Sequence, residues 1–413
     1  MGITVYLLLL LEALFALFLL RRSGVLRGRG GWIAAVFLLL AAFGARAYVF
    51  GYETLDYQNF LTKWVDYFRN FGHFSALKNS VGNYNIPYLY FLAAFSYSSV
   101  RDLYLIKLLS TFFDVVLAWS SMMLLGRFTR SVPARVACFF TVLCLPTVFL
   151  NSAVWAQCDS TYAAMLVLGL YLALDDKPSL SMLCAVVAFG FKLQAIFMLP
   201  VYAVLWMAKK FKWYHFLLFP AGYVLLVLPA VLLGRPFWDT VTLYFSQTGS
   251  IGDALNYNSS SVFALFRQVD DPSLASTTAI AAAFAYLLIL LAVCFLNRDR
   301  LGDRAILGAA VLFAIGIPFL LPHMHDRYFF CADILTVILA FVSWRCSPAA
   351  LLAQFASLLG YHAYLKMRFL LPMRYGALAL LAALTVSVAF FAFSLFAGEE
   401  EKTAPTKSAK KRS

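Results

Sequence analysis

The chain has 413 residues, of which 63% are hydrophobic, 17% aromatic and only 13% charged, with a mean hydropathy of +0.81, and that is too much apolar surface for one soluble core. A formal charge of +13 does not point to nucleic acid, because the bases fall in short clusters between apolar runs and so read as membrane topology signals. Those runs last about 17 to 25 residues, the length of a helical span, which excludes an outer-membrane barrel of alternating strands.

The fold class that remains is an all-α polytopic membrane protein: one integral membrane domain over residues 1–398, then a polar tail at 399–413. The seven cysteines lie mainly within apolar runs and show no CxxC spacing. They are expected to pack as small hydrophobes, with neither a zinc site nor a disulfide framework.

In chain order, the first apolar run, 3–20, is followed by Arg21, Arg22, Arg27 and Arg29. That is the charge order of an anchor with its N-terminus outside rather than of a cleaved leader. The next run, 32–50, then carries the chain outward, so that residues 51–90 form a long polar, aromatic-rich interruption on the outer face. Asp56 sits at its start, ahead of Phe60, Trp64 and Phe68 at helical spacing. It reads either as a solvated or helix-capping acid or as a carboxylate presented at the membrane surface.

Residues 86–97 are apolar but short, with Pro87 near the start, and read as an interfacial or re-entrant piece. The full span 103–125 ends in Arg127, Arg130 and Arg135, as a cytoplasmic loop should. Within it Lys107 and Asp114 lie two turns apart, about 10 Å along one face. They are either a charge-balanced pair or part of a site lining. The short runs 136–150 and 162–174 flank an outer turn with Trp155, Gln157 and Asp159. Residues 179–208 are too many for one untilted span. Lys192, Gln194 and Pro200 in their middle predict two short or broken helices, with Lys192 inside protein and in need of an anion. That anion is a carboxylate such as Asp114 or Asp159, or a ligand phosphate.

A further span, 216–233, leads to a second outer segment, 234–276, carrying NYNSSS at 256–261. Residues 279–296 return to the basic Arg298, Arg300 and Arg304, and 306–321 reach the outer face again at PHMHDRY. There His323, His325, Asp326 and Arg327 crowd one turn. The His-x-His pair lacks a third metal ligand, whereas the planar fork of Arg327 suits a pair of phosphate oxygens. The spans 328–342, 349–365 and 375–396 complete about 11 to 13 transmembrane helices. They leave Lys366, Arg368 and Arg374 outside, against the positive-inside rule, as bases facing an anionic ligand would be.

Several patches together, in this order, resemble the GT-C integral membrane glycosyltransferases that use polyprenyl-phosphate sugars. The likeness is closest to bacterial relatives of the second mannosyltransferase of GPI-anchor assembly, and next to the glucosyltransferases that extend the dolichol-linked N-glycan. LDYQNFLTKW, with Asp56 and Tyr57, is similar to the family's first outer loop, whose Asp is the catalytic base. NYNIPYLY matches a Tyr-Pro-Pro-Leu motif at Tyr84 and Pro87. WAQCDS matches a Trp-Gly-Gln-x-Asp-Ser turn at Trp155, Gln157, Asp159 and Ser160, with Ala156 in place of Gly. FKLQAIFMLP resembles a Lys-x-Gln segment at Lys192 and Gln194, NYN is carried by Asn256 and Asn258, and HDRY resembles His-Glu-Arg-Tyr, with Asp326 in place of Glu and Tyr328 closing the turn.

The resemblance implies a GT-C-type fold with interfacial helices on a long first outer loop, 51–100. It also implies inverting transfer of a hexose, mannose foremost, from a polyprenyl-phosphate donor to an acceptor hydroxyl. Asp56 would be the base, His325, Arg327 and Lys192 would hold the donor phosphate, and the other matched residues would line the site together with Lys107 and Asp114. The implied setting is the outer face of a bacterial plasma membrane, with a glycan, lipid-linked or protein acceptor and no metal, cofactor or nucleic acid. No P-loop or Rossmann fingerprint is present, so no nucleotide is expected. The competing reading is a transporter or flippase of a lipid-linked sugar, because broken helices with mid-membrane charges would hold a phosphate without needing a base.

Overall fold

The computed structural model describes residues 1–244 and 254–396; the expected tail at 399–413 and the middle of the second outer segment lie outside those described residues. Two apolar helices open the chain, α1 (Ile3–Arg22) and α2 (Gly28–Val49). The first outer segment follows with a π-helical turn, Tyr57–Leu61, leading into α3 (Thr62–Asn70) and then α4 (Ile86–Phe95). The long α5 (Asp102–Leu125) precedes a run of shorter helices: α6 (Val132–Leu143), α7 (Pro146–Phe149), α8 (Asp159–Leu174), α9 (Pro178–Phe191) and α10 (Val201–Met207). After α11 (Leu218–Leu232) and α12 (Phe237–Val241) comes a two-residue strand, β1 (Asn256–Tyr257), and then α13 (Pro272–Leu296) and α14 (Asp303–Leu320). The second strand, β2 (Met324–His325), leads to α15 (Phe330–Val342), α16 (Ser347–Lys366) and α17 (Arg374–Phe396).

Seven of these helical stretches are long and apolar enough to cross a membrane, or eight if α6 and the bent segment Pro146–Val154 count as one span. The molecule is therefore a polytopic helical membrane protein. The count is below the eleven to thirteen expected, and the difference lies in apolar helices of 10–17 residues, α8, α9 and α15 among them, and in the 20-residue α16, which is not among the seven. A 10-residue helix such as α4 is about 15 Å long, half the hydrocarbon thickness. Such pieces are stable here because longer helices enclose them; α8 is buried along almost its whole length.

Burial sorts the long helices by position. The most apolar windows of α5 and α14 are 67% and 78% buried, whereas those of α1, α2, α11 and α13 are at most a third buried. The second group turns residues such as Leu7, Leu11, Ile33, Phe37 and Phe284 outward, and lipid tails as apolar as leucine make that exposure cheap. The stretch between α2 and α5 has its own apolar core of Tyr57, Leu61, Val65, Phe68, Ala76 and Leu77, packed with Leu89 and Leu92 of α4. It is thus an ordered cap on the bundle.

Two charge devices hold the bundle together, and neither is the Lys107–Asp114 pair. Arg46 of α2, fully buried, donates to Asp114 at 2.8 Å and to the Leu143 carbonyl at 2.7 Å. Asp114 also accepts from Ser152 at 2.6 Å and Ser160 at 2.5 Å. The Leu143 carbonyl belongs to the 41° bend before Pro146. A proline-led break leaves carbonyls without helical partners, and Arg46 supplies one. Lys107 meanwhile donates to the carbonyls of Phe50 at 3.0 Å and Tyr52 at 2.7 Å, a cation at the C-terminal end of α2. The expected site-lining role of Lys107 and Asp114 is corrected accordingly. Both are spent on fixing where helices end and meet.

Candidate active site

Because Lys107 pins the end of α2, the chain enters the first outer segment from a fixed point. Thr54 then donates to the Trp155 carbonyl at 3.1 Å. Asp56 already has helical torsions (φ −61°, ψ −42°) and its side chain caps nothing, which sets aside the capping role. Its Oδ2 instead accepts from the Trp155 indole Nε1 at 2.8 Å and from Gln157 Nε2 at 2.9 Å, while its backbone N–H donates to the Tyr364 hydroxyl at 3.0 Å. The π-helical turn follows directly, a local widening often found at functional positions.

The two donors are themselves held. Trp155 is fully buried, stacked on Tyr364 with ring centres 4.0 Å apart and edge-on to Tyr361 at 5.2 Å. Gln157 accepts from the Tyr84 hydroxyl at 3.1 Å, which fixes which end of its amide faces Asp56. Between them Ala156 lies in the left-handed region at φ 63°, a conformation that favours glycine, and this tight turn brings an indole and an amide onto the same oxygen.

A second carboxylate, Asp159, opens α8 and is almost fully buried. Asn151 donates to it at 2.7 Å and also to the Tyr361 hydroxyl at 3.0 Å. Lys192, at the break between α9 and the turn Leu193–Phe197, forms an ion pair with Asp159 and lies over the Tyr84 ring at 5.6 Å. The protein carboxylate is thus the partner Lys192 takes in this structure. Gln194 sits beside it, with its buried Oε1 lacking a hydrogen-bond partner.

Arg327 joins the two carboxylates. Its guanidinium is 3.7 Å from Asp56, 3.5 Å from Asp159 and 3.9 Å from Asp326, and lies over the Trp155 ring at 5.3 Å. These separations give charge attraction, but the buried Nε makes no hydrogen bond. The fork is held in place by charge and by a ring, with its buried Nε left without a hydrogen-bond partner.

The turn that carries Arg327 is anchored by a parallel strand pair, in register at Asn256 with Met324 and Tyr257 with His325. The His325 ring stacks on Tyr257 at 4.6 Å and is 5.1 Å from the ring of Tyr328. Burial, reinforced by Arg327, pushes the His325 pKa down to about 4. A neutral imidazole offers a phosphate an N–H donor rather than a positive charge. His323 is taken up in the same anchoring, with its N–H on the Leu255 carbonyl at 2.7 Å. Among the described residues no three His, Cys, Asp or Glu side chains are grouped to hold a metal.

Asp326 is buried, its Oδ1 makes no hydrogen bond, and burial lifts its pKa to about 7 despite the neighbouring Arg327. The folded protein therefore binds this proton more tightly than the unfolded chain. The resulting stability is complete below about pH 4 and is lost as pH rises through about 7, an effect on the order of a few kcal/mol. Asp326→Asn is expected to flatten that pH dependence and to be the more stable form above pH 7. Thermal unfolding of both proteins between pH 5 and 9 checks it, and parallel curves would refute it.

The structure brings together Asp56, Tyr84, Trp155, Gln157, Asp159, Lys192, Asp326 and Arg327 from five separate stretches of chain. Pro87 starts α4 behind Tyr84. Tyr57 does not join them: it is 2% exposed and its hydroxyl donates to Asp102 at 3.2 Å. Asn256 closes its own turn with Ser259. Asn258 (φ 55°) packs against α16 at Gly360, where a Cβ would meet the Asn258 carbonyl at 2.7 Å. Asn151, Tyr361 and Tyr364 were not legible as site residues. Their only sequence signals are a polar residue at the end of a short apolar run and two tyrosines one helical turn apart.

The site thus defines a class: a helical membrane protein with a partly exposed, doubly hydrogen-bonded carboxylate beside a buried acid–base cluster. No family model, curated protein or solved structure matches the chain.

Proposed function

We propose that this protein is an inverting glycosyltransferase of the GT-C type, which transfers a hexose, mannose foremost, from a polyprenyl-phosphate donor to an acceptor hydroxyl. The observation that supports it best is the convergence of Trp155 and Gln157 on one oxygen of Asp56, a carboxylate 24% exposed and 3.7 Å from the Arg327 guanidinium. A structural carboxylate such as Asp114 is also held by several donors, but it is fully buried and needs no exposure to a substrate. A base does.

In this reading the acceptor oxygen attacks the anomeric carbon as its proton passes to Asp56. The bond from that carbon to the phosphate oxygen breaks, and the electron pair leaves with the polyprenyl phosphate. Arg327 stabilises the charge that develops on the departing phosphate, as a preorganised donor in a site of low dielectric. Lys192 acts through Asp159, holding the carboxylate that positions Arg327, and His325 contributes a neutral N–H. The lipid-facing exterior suits a donor that arrives within the bilayer, and the site faces the outer side of a bacterial plasma membrane, where the acceptor is a glycan, a lipid-linked sugar or a protein.

The experiment is a panel of synthetic polyprenyl-phosphate mannose, glucose, galactose and arabinose with purified protein in detergent, product being followed by mass spectrometry. Transfer from one donor, with released polyprenyl phosphate in equal amount, is the expected result. Movement of lipid-linked sugar across proteoliposomes without any transfer would replace the enzyme with a transporter.

A further inference from the structure

We propose that a second site on the same end of the molecule binds an anionic phospholipid of the surrounding leaflet. A cleft of about 520 Å³ lies between the second outer segment and the connector from α16 to α17, walled by Phe263, Phe266, Phe369, Leu370 and Leu371, with Asn258 at its edge. Tyr364, bonded to Asp56, stands two residues before the connector, so cleft and carboxylate share one end of the bundle. Neither Asp56 nor Arg327 lines the cleft.

Two features of the connector point to an amphiphile with negative charge. Its tip is apolar and outward, with Phe369 59% and Leu370 64% exposed. It is flanked by the exposed bases Lys366, Arg368 and Arg374, none of which has a carboxylate within ion-pair distance among the described residues. Arg267 adds a fourth exposed base beside Phe266. In water such a tip is a hydrophobic liability, and unpaired bases outside the bundle gain nothing. At a membrane interface both are satisfied at once, the aromatic and leucine side chains among acyl chains and the bases on headgroup phosphate. The cleft joins apolar walls to a polar side at Asn256 and Asn258, so a bare phosphate would leave the apolar walls uncovered, whereas a lipid meets both parts. This inference stands whether or not Asp56 supports glycosyl transfer.

The test uses the full-length protein in nanodiscs of phosphatidylcholine with and without phosphatidylglycerol, with retained lipid counted by native mass spectrometry. The wild type is expected to retain phosphatidylglycerol preferentially, and Lys366→Gln/Arg368→Gln/Arg374→Gln to lower that preference by about tenfold. Phe369→Ser/Leu370→Ser is expected to lose the bound lipid of both kinds. Arg27→Gln/Arg29→Gln, which removes exposed bases from the start of α2, should retain the wild-type preference. No preference in the wild type, an unchanged triple variant, or an equal loss in the Arg27/Arg29 control would overturn the proposal. So would full displacement of the lipid by glycerol 3-phosphate, which would mark a soluble anion site instead.

Discussion

If the proposed glycosyl transfer holds, Asp56→Asn is expected to lower it by about 10²- to 10⁴-fold, the usual contribution of a positioned general base, while leaving the protein folded. The substitution keeps the shape of the side chain, and an amide oxygen still accepts from Trp155 and Gln157, now at 2.8 and 2.9 Å from Oδ2. Asn151, Tyr361 and Lys192 continue to hold Asp159 and the opposite side of the cluster. Only the capacity to take a proton is lost, along with one of three acidic neighbours of Arg327. Single-turnover transfer from a synthetic polyprenyl-phosphate hexose measures the chemical step, and thermal unfolding of the same sample separates it from stability. Turnover equal to wild type would remove Asp56 from the mechanism. Loss of donor binding with the chemical step intact would recast the residue as part of the binding surface.

The second large effect is on stability and lies away from the site. Arg46→Met is expected to destabilise the protein by about 3–5 kcal/mol, because it leaves a buried carboxylate without its cation. Asp114 would retain only the hydroxyls of Ser152 and Ser160, and the Leu143 carbonyl at the bend would lose its donor. Adding Asp114→Asn removes the unpaired charge while still allowing hydrogen bonds to both serines. The double variant Arg46→Met/Asp114→Asn should therefore recover most of the loss, a coupling that independent sites would not show. Denaturation midpoints in a fixed detergent decide the matter, and a double variant no better than the single one would refute the account.

Both effects depend on partners that one-dimensional patterning reveals unevenly. Hydropathy places the main elements closely: the span expected over 103–125 is α5, Asp102–Leu125, and that over 375–396 is α17, Arg374–Phe396. The interruption expected around Lys192 is a real break in the helix. These features are local, since a run of apolar side chains and the residues that end it determine a helix by themselves. The order of the polar turns bearing Asp56, Trp155 to Asp159 and Arg327 is likewise local.

What the sequence by itself determined is an all-helical membrane protein with its unusual polar residues gathered on a few turns between apolar runs. The partner of each charge was decided only by tertiary structure. Lys107 and Asp114 share a helix face but meet different neighbours, because the end of α2 brings one the Phe50 carbonyl and its body brings the other Arg46. His325 reads as a phosphate ligand of unspecified charge until burial and Arg327 push its pKa down, and Asp56 reads either as a helix cap or as a presented carboxylate until Trp155 and Gln157 turn its carboxylate towards them. The physical reason is common to all three. Charge state and hydrogen-bond choice depend on local dielectric and on donors from distant stretches of chain, and neither quantity exists before those stretches pack.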